Sequence, residues 1–231
     1  MKRITALILA LLFVFSLVSC GKSGNNAEIP GTKTQTQTKG NEPDSSEKAQ
    51  SADTSGKKIL TVHFSSANTA DVDAVSSATP SFNGMGSTEY LAVYINGKVG
   101  GDIAKITPVK DYPTSYNGTL DTAKDERDKD KRPEFKSLDV NPEDYDIIFV
   151  GYPMWWYTLP MIMYTFFDTY DFSGKTIIPF NTHAGSGDGG TYSEIKEFEP
   201  GATVPDGLAV SGSGADKAGG DIDSWLSGLG F

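Results

Sequence analysis

The stretch DIIFVGYPMWWYTLP, residues 146–160, decides how this chain is read. Ile147–Val150 is an unbroken apolar run without the alternation of a half-solvated strand, as expected of a central strand covered on both faces. Pro160 opens the apolar segment LPMIMYTFFDTY (159–170), which reads as a helix with proline in its first turn, where a missing N–H costs nothing. Between strand and helix stand Trp155 and Trp156. Adjacent side chains of an extended chain point to opposite faces, so a single core does not readily hold both. Each indole also carries an N–H that seeks a partner. The pair is either one core tryptophan with one lid over a neighbouring helix, or the wall of a ligand site.

The same alternation continues outward. ILTVHF (59–64) reads as a short buried strand, and STEYLAVYIN (87–96) as an amphipathic helix opened by hydroxyl residues and stopped at Gly97. GDIAKITP (101–108) is a half-buried strand closed by Pro108. Residues 108–143 form a long polar excursion, with loop and one exposed helix, that includes the charge-dense DTAKDERDKDKRPEF. GKTIIPFNTH (174–183) is a strand, TYSEIKEFEP (191–200) a short helix, VPDGLAVSGSG (204–214) the last strand and DIDSWLSGLGF (221–231) a terminal helix. Five strands alternating with helices predict an α/β domain, a doubly wound five-stranded parallel sheet. Ligands of such sheets bind outside the carboxyl ends of the strands, near the reversal of strand order. The loops there, after residues 64, 153 and 181, are rich in small, hydroxyl and aromatic residues and contain no Lys or Arg.

The chain begins MKRITALILALLFVFSLVSCGKS. Lys2 and Arg3 precede an apolar run from Ala6 to Val18, broken only by Ser16 and too short for a comfortable membrane span. LVSC, ending at Cys20, resembles the lipobox of bacterial lipoprotein signal peptides. The resemblance implies that residues 1–19 are removed and Cys20 is lipidated, placing the protein outside the cytoplasm with only a lipid anchor in the membrane. Cys20 is the single cysteine, so no intramolecular disulfide or cysteine-based metal cluster exists. Residues 21–57 have almost no large apolar side chains and read, with Cys20, as a disordered linker reaching roughly 30–35 Å as a coil. Residues 58–231 then form one domain carrying 13 Lys and Arg against 25 Asp and Glu, a net charge of −12 (13 − 25). That balance argues against nucleic acid and anionic lipid head groups as partners and favours a partner that is basic at the contact.

Over essentially all of residues 58–231 the order of blocks resembles the flavodoxin family, through ILTVHFSS…GMGSTEYLA, GYPMWWYTLP and YDFSGKTIIPFNTHAGSGDGG. The closer resemblance is to a branch whose phosphate loop is split by an insertion, here a segment such as DVDAVSSAT, with Gly86-Ser87-Thr88 where that branch has Gly-Asn-Thr. The resemblance implies FMN as cofactor. Ser65 and Ser66 at the strand end, with Gly86, Ser87 and Thr88 at the helix start, would hold its phosphate. This agrees with the physics of an anion site at a helix N-terminus, although Ser87 and Thr88 also suit simple capping. The loop Pro153, Met154, Trp155, Trp156 and Tyr157 would pack beside the flavin ring, with Trp155 toward it. Thr182, His183, Ala184, Gly185, Ser186 and Gly187 would pass over the opposite edge with their backbone N–H groups.

GSGDGG (185–190) fits G-x-G-x-x-G but follows the fourth strand rather than opening the first βαβ unit, and reads as a flexible loop. His63 is expected to be a satisfied core residue, and His183 a loop residue able to bond flavin or substrate. No side chain is required as a catalytic acid or base, and no metal site is expected. The leading function is a tethered FMN protein that transfers electrons between redox partners outside the cytoplasm. The alternatives are an FMN-dependent quinone-type reductase and a flavin-free binding module on the same scaffold.

Overall fold

The computed structural model describes residues 56–66 and 84–231. The leader, Cys20, the linker to residue 55 and the insertion between Ser66 and Gly84 lie outside the described residues.

Five strands form one sheet: β1 (Ile59–Phe64), β2 (Asp102–Ile106), β3 (Ile147–Pro153), β4 (Thr176–His183) and β5 (Leu208–Ser211). The order is β2-β1-β3-β4-β5 and every pairing is parallel. This is the doubly wound sheet expected, in the order that flavodoxins share, reversing direction between β1 and β3. All seven residues of β3 are buried, which explains its lack of alternation.

Alternate residues of the strands serve two cores. Leu60, Val62, Phe64, Ile148, Val150 and Tyr152 point to one face. That face is covered by α2 (Tyr116–Asp128), α3 (Met161–Thr169) and α4 (Thr191–Phe198). Ile147, Phe149, Ile178 and Phe180 point to the other face, under α1 (Ser87–Val99) and α5 (Gly219–Leu229). On this second face Gly151 stands where a Cβ would lie 2.2 Å from the Phe180 ring, so glycine is what admits that ring.

Two boundaries differ from the sequence reading. Gly97 does not stop α1. Nothing lies within 4 Å of its Cβ position, and the helix runs on to Val99, where Gly100 at φ 74° ends it. An exposed glycine costs a helix only about 1 kcal/mol relative to alanine, which packing of Leu91, Ala92 and Ile95 outweighs. Pro160 caps α3 rather than lying in its first turn, and its carbonyl accepts from the Met163 N–H at 2.8 Å.

Gly151→Ala should destabilise the fold by about 1–3 kcal/mol through overpacking against Phe180. Urea unfolding measures it, and an unchanged midpoint would mean that the ring has room to move.

Candidate functional site

The loops at the carboxyl edge are joined by short bonds around Thr182. Its hydroxyl pairs with that of Thr88 at 2.7 Å, both residues fully buried, and its carbonyl accepts from the Met154 N–H at 2.8 Å. The start of α1 and the ends of β3 and β4 therefore meet at one point. Gly86 precedes α1 in an extended conformation, and no side chain caps the first turn. Ser87 Oγ donates instead to the carbonyl of Gly212 at 3.0 Å, bringing in the segment after β5. Neither hydroxyl of the Ser87-Thr88 pair caps the helix. Thr88 ties it to β4 and Ser87 to the segment after β5, and among the described residues no side chain caps the N–H groups of the first turn. Ser65, at the end of β1, is buried and its Oγ has no hydrogen-bond partner among the described residues.

After β3 the backbone makes a two-residue turn. Trp155 and Thr158 exchange both N–H···O bonds at 3.1 Å, and Trp156 and Tyr157 between them lie at φ 52° and 65°. Such turns favour Asn-Gly, and a non-glycine residue there costs about 1–2 kcal/mol. The two tryptophans thus do not alternate as in an extended strand. Trp155 is 4% exposed and packs edge-to-face on Phe64 at 5.4 Å and Tyr112 at 5.0 Å, its Nε1 without a partner among the described residues. Trp156 is 37% exposed. Its Nε1 donates to the Leu120 carbonyl of α2 at 3.0 Å, and the Arg127 guanidinium lies 5.3 Å over its ring. Tyr157, 74% exposed, offers the free aromatic face of this loop. Trp155 is the core residue of the pair, Trp156 the latch to a neighbouring helix.

The loop after β4 is held from below. Asn181 Nδ2 donates to the Gly187 carbonyl at 3.0 Å, and Tyr192 O–H donates to Asn181 Oδ1 at 2.5 Å. Gly185 and Gly187 take φ of 110° and 61°, with nothing within 4 Å of their Cβ positions. Gly189 closes the loop onto the tryptophan turn, where a Cβ would come within 3.0 Å of the Tyr157 carbonyl. GSGDGG is therefore a loop closed by glycine geometry, leading into α4. His183 Nδ1 accepts from the Gly185 N–H at 2.9 Å, which puts the neutral ring's proton on Nε2, and partial burial lowers its pKa.

The structure thus gathers Ser65, Gly86–Thr88, the residues from Pro153 to Tyr157 and those from Thr182 to Gly187 along one edge, and no Lys or Arg lies in these stretches. Sequence reasoning missed Tyr112, one of three aromatics in the polar excursion, which supports Trp155 and donates to the buried Glu126 carboxylate at 3.0 Å. It also misjudged His63. The ring is buried as expected, yet neither nitrogen has a hydrogen-bond partner among the described residues. A cleft of about 780 Å³ lies between residues 109–113 and 121–134, with Tyr112, the support of Trp155, in its wall. Among the described residues, no three His, Cys, Asp or Glu side chains are grouped to hold a metal ion.

The flavodoxin family's sequence model matches residues 77–228. The chain belongs to the flavodoxin family. That match takes in the flavodoxin loops from Gly86 to Gly187 but not Ser65 and Ser66. Among solved structures, a candidate flavoprotein from Bacteroides eggerthii DSM 20697 is 26% identical, with a TM-score of 0.57 over 76% of this chain and 99% of that one. One from Bacteroides uniformis ATCC 8492 is 26% identical, with a TM-score of 0.58 over 74% and 99%. A flavoprotein in complex with FMN from Lactobacillus acidophilus NCFM is 23% identical, with a TM-score of 0.52 over 70% and 97%, a likeness of fold. No curated protein matches the chain.

Two outcomes follow from this geometry. Tyr157→Gly should raise stability by about 0.5–1 kcal/mol in thermal or urea unfolding, because glycine relieves the left-handed backbone while losing little buried surface. A loss of stability would show that the exposed ring makes contacts outweighing the strain. Burial lowers the His63 pKa from 6.5 to about 4, so the unfolded chain takes up a proton there before the native one does. Stability from this group is complete above pH 6.5 and declines as pH falls toward 4, by up to about 3 kcal/mol. The slope of stability against pH over that range should flatten in His63→Gln.

Proposed function

We propose that this protein binds FMN at the carboxyl edge of the sheet and transfers electrons between redox partners outside the cytoplasm, tethered by a lipid on Cys20. One observation carries the proposal: at the reversal of strand order, a helix start without side-chain caps shares the edge with the buried hydroxyl of Ser65, which has no partner among the described residues. A helix N-terminus is an anion site without any basic side chain, so these residues fit a phosphate. Ser65, Ser66 and the backbone of Gly86–Thr88 would hold it.

FMN, when bound, supplies one- and two-electron redox chemistry. The chain's own residues bind and orient. Tyr157 and Trp156 offer exposed aromatic surface on one loop, Trp155 supports them from within the core, and Gly185 and Gly187 let the backbone of the opposite loop approach closely. Met154 and Pro153 fix the turn to β4. The acidic domain disfavours added negative charge on a bound flavin, which lowers its potential, and it steers basic partners.

Adding FMN to the purified protein and recording its absorbance tests the proposal. Saturable one-to-one binding with a shifted, resolved flavin band is expected, weakened roughly tenfold in Tyr157→Gly. A free-flavin spectrum at every ratio overturns it and leaves a binding module on a flavodoxin scaffold. Reduction of bound flavin by NAD(P)H at catalytic rates would replace the electron shuttle by a reductase.

A further inference from the structure

Thr61 and His63 lie on the face of β1 that α1 covers and Ser65 continues their alternation one residue past the strand, while Leu60, Val62 and Phe64 on the other face are apolar. All three polar residues are buried, His63 to 3% exposure. Thr61 Oγ1, both His63 ring nitrogens and Ser65 Oγ have no hydrogen-bond partner among the described residues. Unpartnered buried polar groups are costly, and three in one row leading to the phosphate-binding edge call for a common explanation.

Among the described residues, several neighbours of His63 are identified. Across the ladder it lies opposite Lys105 of β2 and Gly151 of β3. Gly151 brings no side chain, and the uncharged ring of Phe180 from β4 fills the space above it. Lys105 turns toward Glu89 of α1, Nζ to Oε2 at 2.9 Å, so the two charges that act on His63 largely offset each other. Burial is the main cause that keeps the imidazole neutral.

We propose that His63 is the buried counter-ion of the phosphate held at the start of α1, taking up one proton from solvent when that anion binds. The inference rests on the reading of this edge as a flavin-phosphate site. Two residues along a strand span about 6.6 Å, so an anion at Ser65 Oγ acts on the imidazole at short range through a medium of low dielectric. An opposite charge at such range raises a histidine pKa by about 1–3 units, enough to bring His63 from about 4 into the range where a proton is gained.

The chain has two histidines, which makes the proposal directly observable. Ring 15N and 13C signals of the full chain are followed by NMR between pH 5 and 8, alone, with saturating FMN, and with riboflavin, which lacks the phosphate. The signals that vanish in His63→Gln belong to His63; if that variant does not fold, His183→Gln assigns the same pair by difference. Without ligand and with riboflavin, His63 should stay neutral throughout. With FMN its midpoint should rise by at least about one unit, so that protonation grows in at the acid end of this range. Saturable FMN binding with an unmoved His63, or an equal shift with riboflavin, overturns the counter-ion role alone. Absence of saturable FMN binding overturns the reading of the site and this inference with it.

Discussion

The buried hydroxyl pair of Thr88 and Thr182 is the contact on which the carboxyl edge depends. It pins the first turn of α1 to the end of β4, across the position where the sheet reverses its order. With the Met154 N–H bound to the carbonyl of the same Thr182, one residue sets the relative placement of three loops. Ser87 extends the arrangement to the segment after β5 through Gly212. The hydroxyls that suggest ligand contacts in sequence thus also build the frame in which the backbone amides are presented.

The turn after β3 shows how strain is accommodated. Two bulky residues hold a left-handed backbone where glycine would serve, and side-chain contacts on both sides offset the cost. Trp155 is clamped between Phe64 and Tyr112, and Trp156 is tied to the carbonyl of Leu120 and overlaid by Arg127. Backbone strain held in this way is characteristic of functional loops. The charge-dense excursion, which in sequence reads mainly as a solvated surface, is therefore structurally connected to the tryptophan turn.

The fold was legible because its strongest signals are local. The unbroken run in β3 requires cover on both faces, and strand-helix alternation limits the topology. The position of the α1 terminus was not, because Gly97 faces open space and lacks a steric reason to break the helix. The roles of the tryptophans were open because alternation presumes extended chain, and the positive φ of Trp156 and Tyr157 removes that premise. His63 was misjudged since a sequence shows that a histidine lies in a buried strand but not whether its nitrogens meet a partner. Tyr112 gave no signal beyond being aromatic in a polar stretch.

The absence of Lys and Arg from the site loops separates two properties that are usually coupled. An anion held by amide and hydroxyl groups presents little surface charge for mobile ions to screen. The acidic exterior has the opposite character, a long-range field that weakens as ionic strength rises. Retention of a ligand at this edge and the rate of encounter with a charged macromolecule therefore answer to different variables, so salt can slow the second while leaving the first nearly unchanged.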